Sequence, residues 1–316
     1  MPRPFRFGVQ LSTLPAVDWR AHVERIEALG YECLYWPDHF QEQWEPTTAL
    51  SAAAAASERL RIGSLVYDVD YRHPVVLAKT AATLQLLSGG RHVFGLGAGW
   101  MQSDYDEAGI RFDPASVRIE RLEEALQIIR SMWSEERTTF EGRHYQVRDI
   151  ARAAPLSPAG PPRVLVGGGG PKVLAVAGRH ADIVGINPKV HEGRVTATTA
   201  ADCAPERVHE KIRCVREAAE AAGRDPEVIE FNSLVFVVAI TDEPGSLREA
   251  LASGSGMTVD QVADCPLFLT GSAQEIRERL LARREAFGIH EIVIQGREPD
   301  VLERFAREIA APLRQA

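Results

Sequence analysis

Residues 163–178 read RVLVGGGGPKVLAVAG: an apolar run, four glycines, a proline and a lysine, then an alanine-rich segment. Read by its periodicity, this is a buried strand that passes straight into a helix. Pro171 suits the first helical turn, where a missing N–H costs nothing, and the glycines before it leave backbone amides uncovered. Two readings of the glycines stand side by side. They either let main-chain N–H groups reach an anion, most naturally a phosphate, or they make a tight turn where strand and helix pack closely.

The same grammar repeats along the chain. Apolar runs at 5–11, 32–36, 60–66, 92–97, 163–167, 182–187, 229–240 and 291–296 read as strands. Between them lie helical patterns, such as Trp19, Val23 and Ile26 closed by Gly30, and Leu77, Ala81, Leu84 and Leu87 closed by SGG at 88–90. A further helix comes after "DP" at 113–114, with Asp113 expected as N-cap and Pro114 at the first helical position. Continuous apolar strands alternating with helices imply a parallel sheet covered on both faces. Eight such units predict closure into an α/β fold of the (β/α)8 TIM-barrel type, and 316 residues suit one such domain spanning 1–316 with insertions. The stretches 141–162 and 188–206, rich in Pro, Gly, Ala and Thr, read as insertions over one end of the barrel.

Composition narrows the function classes. A net charge of −8 argues against a nucleic-acid partner, whose footprint is basic, and means that an anionic ligand needs a local basic pocket. The N-terminus MPRPFRFGVQL carries no secretory h-region, and no run of apolar residues is long enough to span a bilayer, so membrane insertion and secretion are not expected and a cytoplasmic setting is. Cys33, Cys203, Cys214 and Cys265 have neither CxxC spacing nor zinc-site histidines, and read as reduced thiols with no metal.

Three other stretches carry candidate chemistry. YWPDHFQEQW (35–44) puts Asp38 and His39 where barrel strands deliver catalytic groups; the pair reads either as a proton shuttle or as a structural hydrogen bond under a loop. VFGLGAGWMQSDYDEAG (93–109) spaces Gly95, Gly97 and Gly99 after a strand but does not open directly into a helix, so it is not a dinucleotide fingerprint; it reads as a packed rim or as a bed for a flat ligand. IGSLVYDVDYRHP (62–74) reads as a strand leading into a solvated charged loop at Asp68, Asp70, Arg72 and His73. His180, His191 and His209 read as scattered surface residues.

Together, PDHF, the stretch 60–100, RLEEALQIIRSMW (121–133), GGGGPKVLAVAGRHADIVGIN (167–187) and PLFLTGSAQEIRERL (266–280) resemble the luciferase-like monooxygenase superfamily, and within it most of all the oxidoreductases that use the deazaflavin coenzyme F420. The resemblance runs over nearly the whole chain and departs most at 188–206 and 241–265. It implies a barrel whose C-terminal face holds a flavin or deazaflavin. It implies a non-prolyl cis peptide within Ser64-Leu65-Val66 as a bulge behind the ring, with Ala98, Gly99 and Trp100 against the cofactor and Gly169 and Gly170 donating to its phosphate. Asp38 and His39 match the Asp-His pair of the F420 enzymes, with His39 beside the reactive ring. The resemblance further implies substrate contacts from Trp44 and Lys189, and a homodimer. Where the sugar-phosphate dehydrogenases of the family carry a glutamate after GxG, this chain has Trp100, which argues against a glucose-6-phosphate substrate. The expected function is F420-dependent hydride transfer to or from a small organic substrate. The alternatives are an FMN-dependent monooxygenase and a cofactor-binding protein without catalysis. Arg72, His73, Lys172, Arg179 and Lys189 are the cations available for the longer, acidic tail of F420.

Overall fold

A computed structural model describes residues 2–13, 18–154, 157–189, 197–296 and 298–314. Eight parallel strands lie among them: β1 (Arg6–Gln10), β2 (Cys33–Trp36), β3 (Arg61–Ser64), β4 (His92–Gly97), β5 (Arg163–Gly168), β6 (Ile183–Ile186), β7 (Glu230–Val235) and β8 (Ile289–Gln295). Each pairs with its neighbour in chain order, and β8 pairs back onto β1, so the sheet closes into the expected (β/α)8 barrel. The strands carry buried side chains at successive positions because one face fills the barrel and the other meets the helices: Val164, Leu165 and Val166 of β5 are all fully buried. At roughly 1.5–3 kcal/mol for each fully buried aliphatic side chain, these runs are the main force closing the barrel.

The helix Trp19–Ala28 buries Val23 and Ile26, the spacing that the sequence predicts. Pro74–Leu87 and Ala115–Ser134 pack against each other outside the barrel. The latter begins one residue later than expected: Pro114, not Asp113, is the N-cap. The Asp113 carboxylate is occupied instead with Arg111 and Arg121, and its carbonyl accepts from Arg118 Nε at 2.9 Å.

The insertions also gain definite form. Within and beside 141–162, Arg137–Glu141 and Gln146–Ala151 form an antiparallel hairpin. The stretch 229–240 is two strands, not one. After Val235 the chain leaves the barrel at the exposed Phe236, and Val237–Ile240 pairs in parallel with Phe268–Gly271. Residues 241–265 hold two helices, Gly245–Ser255 and Val259–Asp264, the second opened by a capping box between Thr258 and Gln261. In 188–206, residues 190–196 and with them His191 lie outside the described residues; the short helix Ala197–Ala201 and the start of Pro205–Ala221 make up the remainder of that insertion. No helix among the described residues is long and apolar enough to cross a membrane, and no group of them gathers metal-ligating side chains.

Candidate active site at the C-terminal mouth

Because the strands are parallel, the residues just past β2, β3, β4 and β5 converge on one end of the barrel. The bond between Leu65 and Val66, just past β3, is cis and falls inside the expected three-residue window. Its surroundings explain how the bulge is held. Gln10 Nε2, at the end of β1, donates to Leu65 O at 2.7 Å, and Ser64 Oγ donates to Gly95 O at 2.7 Å while accepting from Gly95 N at 3.1 Å. The Ser64 hydroxyl, fully buried, is therefore committed to β4. Gln10 carried no signal in the sequence beyond ending an apolar run.

The glycines of β4 make room for this bulge. A Cβ on Gly95 would stand 2.0 Å from Ser64 O, and one on Gly97 would stand 2.7 Å from Val66 Cγ2. Gly99 has φ +68° and its Cβ would fall 2.0 Å from the Tyr105 hydroxyl and 2.3 Å from Asp68 Oδ2, so a side chain is excluded on two grounds. Arg118 reaches behind this turn, with Nη1 2.8 Å from Ala98 O and also bonded to Gly99 O.

His39 finds a partner that sequence reading did not supply. Its Nδ1 lies 2.6 Å from Oδ2 of Asp104, which is fully buried on the helix Gln102–Ala108. Nδ1 donating to that carboxylate leaves Nε2 facing the mouth with no hydrogen-bond partner among the described residues. The His39 ring meets Trp100 edge-on at 5.8 Å, and Trp100 itself is 43% exposed. Phe40, also exposed, lies 4.4 Å from the Tyr71 ring. Aromatic side chains thus rim the mouth on both sides of His39.

Asp38 does not pair with His39. It is buried and accepts from both guanidinium nitrogens of Arg72, at 2.5 and 3.2 Å, and from Asp68 N at 3.0 Å. Arg72 also reaches Glu45 at 3.0 Å. The segment 68–72 of the expected solvated loop is instead folded inward, while His73 is exposed. Asp68 is buried and accepts from Tyr105 OH at 2.8 Å, and burial, with Asp70 and Asp38 nearby, raises its pKa to about 7. Asp70 is also raised by burial, though Arg121 stands 3.0 Å away and opposes the shift. Alternating polar and apolar letters looked like surface, as His73 is; Asp68, Asp70 and Arg72 are instead engaged by Tyr105, Arg121 and Asp38, distant residues that local pattern cannot reveal.

Trp44 packs against the apolar core, its backbone amide bonded to Ser12 O at 3.0 Å. The glycine run after β5 divides in two. A Cβ on Gly168 would meet Val173 at 2.4 Å, and one on Gly169 would meet the backbone of 187–189 at 2.6–2.8 Å, so these two serve close packing. Gly170 is different. It caps the helix Pro171–His180 with no side-chain hydrogen bond, and beyond it the nearest atom to a Cβ is Cε of Lys189 at 3.9 Å. Lys189 is therefore brought beside the glycine loop. Its segment is pinned by Asp202, which accepts from Lys189 N at 2.6 Å, and by the buried Lys211, which donates to Asn187 O, Asp202 O and Asp202 Oδ2. An open pocket lined by Lys189, Thr198, Ala201, Asp202 and Arg207 flanks it. Of the other expected cations, Arg179 pairs with Glu123 at 2.7 Å, His73 caps its own helix, and Lys172 is exposed.

The sequence model of the luciferase-like monooxygenases matches residues 4–263. The chain belongs to that family. Among curated relatives, this luciferase-like protein is 35% identical over 172 residues to an F420-dependent glucose-6-phosphate dehydrogenase of Intrasporangium calvum, covering 51% of each chain. It is 28% identical over 251 residues to an F420-dependent hydroxymycolic acid dehydrogenase of Mycobacterium tuberculosis, covering 76% of this chain and 64% of the other. It thus spans about half the length of the glucose-6-phosphate dehydrogenase it matches. In three dimensions the luciferase-like barrel is similar to an F420-dependent secondary alcohol dehydrogenase, with TM-score 0.78, 19% identity and coverage of 98% and 99%. It is equally similar to an EDTA monooxygenase of Chelativorans sp. BNC1, with TM-score 0.79, 17% identity and coverage of 99% and 94%. At those identities the likeness speaks for the fold.

Proposed function

We propose that this protein is an F420-dependent oxidoreductase acting on a small, uncharged organic substrate. The observation that carries the reading is the His39–Asp104 contact at the mouth, 2.6 Å long, with a buried carboxylate behind an imidazole whose second nitrogen has no partner among the described residues. When bound, the deazaflavin supplies or accepts a hydride. The chain's own residues do the rest. The bulge at Leu65–Val66, held by Gln10, offers a rigid backing for a flat ring, and the uncapped N-terminus of Pro171–His180 with Lys189 beside it offers amides and a positive charge for a phosphate. These features fit the cofactor. His39 Nε2 takes or gives the proton at the substrate oxygen, and Asp104 holds the ring in one tautomer and orientation while that proton moves.

The charge around the mouth bears on the substrate. Asp38, Glu45, Asp68, Asp70 and Asp104 stand against Arg72, Arg118 and Arg121, and Arg72 is already saturated by Asp38 and Glu45. An anionic group would meet net negative charge there, whereas Trp100 and Phe40 offer exposed ring faces. A neutral apolar or aromatic carbonyl or alcohol fits better than a sugar phosphate.

One observation favours FMN as the second reading. With Arg72, Arg179 and Arg207 engaged by carboxylates, Lys172 and Lys189 are, among the described residues, the cations left for the glycine loop, enough for a phosphate but sparse for the longer acidic tail of F420. Paired titrations of the purified protein with F420 and with FMN, monitored by fluorescence, decide between them. Tighter binding of F420 by tenfold or more is the expected result, and preference for FMN would overturn the proposal.

A further inference from the structure

The sequence offers four separated cysteines, yet the fold brings two of them together. Cys203 Sγ and Cys265 Sγ lie 3.6 Å apart across 62 residues of chain. Cys203 precedes the helix Pro205–Ala221 and is half-buried; Cys265 is buried at the end of Val259–Asp264, among Leu267, Phe268, Met257 and Val262. Each sits in one of the two insertions, 188–206 and 241–265, where the chain departs most from its family. Cys33 is fully buried against Glu291, and Cys214 faces a backbone carbonyl, so neither has a thiol neighbour among the described residues.

We propose that Cys203 and Cys265 form a reversible dithiol–disulfide pair, oxidised by a small peroxide, that staples the segment beside the glycine loop to the 241–265 insertion. A separation of 3.6 Å is van der Waals contact for sulfur, about 1.6 Å longer than the S–S bond that would replace it. In the thiol state the two share a hydrogen bond, which, with Arg283 nearby, holds the Cys265 thiol below its usual range, while the same contact raises that of Cys203. The half-buried side of the pair at Cys203 is the route by which a molecule as small as hydrogen peroxide arrives. The chemistry balances in two steps. One thiol of the pair, giving up its proton as it attacks, takes one oxygen of the peroxide and becomes a sulfenic acid, and that proton leaves with the peroxide's other oxygen as water. The other thiol then attacks the sulfenic sulfur, and the second water leaves as the S–S bond forms. Two thiols and one peroxide yield one disulfide and two waters, and an external dithiol reverses it.

The staple has a mechanical consequence. Cys203 is the next residue after Asp202, whose carboxylate holds Lys189 N and Lys211 Nζ, each at 2.6 Å. Fixing Cys203 therefore fixes the clamp that sets Lys189 beside Gly170. This half of the inference rests on the reading of the glycine loop as an anion site; the thiol chemistry does not.

The test uses the intact protein at pH 8 with one equivalent of hydrogen peroxide, then thiol counting after denaturation and peptide mass mapping. The expected result is a fall from four free thiols to two, a 203–265 cross-linked peptide two hydrogens lighter, and recovery of four thiols with dithiothreitol. Loss of Cys33 or Cys214 at the same rate, or oxidation without that cross-link, would overturn the pair. Inorganic phosphate titrated against the reduced and oxidised protein tests the coupling. An affinity change of threefold or more, absent in Cys203→Ser, supports it, and equal affinity overturns it. If the reduced protein binds no phosphate at all, the anion-site reading fails, and the coupling with it, while the mass map still decides the thiol pair.

Discussion

At the N-terminal end of the barrel, Arg6 reaches Glu230 and Glu291 at 2.7 and 2.6 Å, Arg163 reaches Glu230 at 2.7 Å, and Glu291 also accepts from Tyr35 OH and Asn232 Nδ2. At the C-terminal end, Asp68, Asp70 and Asp104 crowd together with fewer cations, and one oxygen each of Asp70 and Asp104 lacks a hydrogen bond among the described residues. Both ends bury charge, but with opposite outcomes. The guanidiniums and His290 hold Glu230 well below the usual carboxylate range, against the effect of burial, whereas burial pushes Asp68 up to about 7. Charge at the first end is matched and serves as a plug. Charge at the second is left unbalanced, the condition in which a group changes protonation near neutral pH and can take part in chemistry.

Substitutions can break this contrast, starting with the largest expected effect. Arg6→Leu strips Glu291 and Glu230 of a buried partner and is expected to cost about 3–5 kcal/mol in denaturant unfolding, with kcat per folded molecule unchanged. A matching loss of kcat would show that the plug and the mouth are coupled. His39→Ala is expected to do the reverse, lowering turnover by roughly 10²–10⁴-fold while cofactor affinity, read by fluorescence titration, stays within threefold. Asp104→Asn leaves the ring in place without a committed tautomer; kcat should fall about 10- to 100-fold with KM little changed, a split that a merely structural role would not give.

The smallest effect concerns pH. Because the folded state raises the Asp68 pKa from 3.8 to about 7, the folded protein holds that proton more tightly than the unfolded chain. Its contribution to stability is then full below pH 4 and is lost as pH rises towards 7. Glu230 works the other way, stabilising above its ordinary pKa of 4.5 and losing that contribution as pH falls below it. Asp68→Asn should therefore flatten the decline of Tm between pH 4 and 7 by a few degrees and leave the acid limb unchanged. An unaltered slope would mean that Asp68 is ionised in the fold at little cost.

Legibility in the sequence divides along the same line. All eight barrel strands were legible, because a strand buried on both faces writes itself as an apolar run. The window for the cis bond and the helix after the glycine run were legible too. The split at Phe236 was not, since VFVVAI continues without glycine or proline, and only pairing with Phe268–Gly271 shows that the chain has left the barrel. The mouth was half legible. His39 was found as a residue type at the end of a strand, but its partner Asp104 lies 65 residues away inside SDYDEAG, and nothing local separates it from Asp106 or Glu107. Asp38, its neighbour in sequence, turned out to belong to Arg72. The glycine run left an anion site and close packing side by side; Gly168 and Gly169 lie tight against Val173 and the backbone of 187–189, and Gly170 keeps the open amide end.

The buried Lys211 gives this architecture an order of assembly. It donates to Asn187 O and Asp202 O across the segment beside the glycine loop, yet it comes from the helix Pro205–Ala221, which packs on Pro171–His180. A nascent chain that has made β5, the glycines and their helix still lacks the brace that seats Lys189. The loop is completed only when a later helix has docked, so gain of phosphate affinity during refolding would time the arrival of that helix.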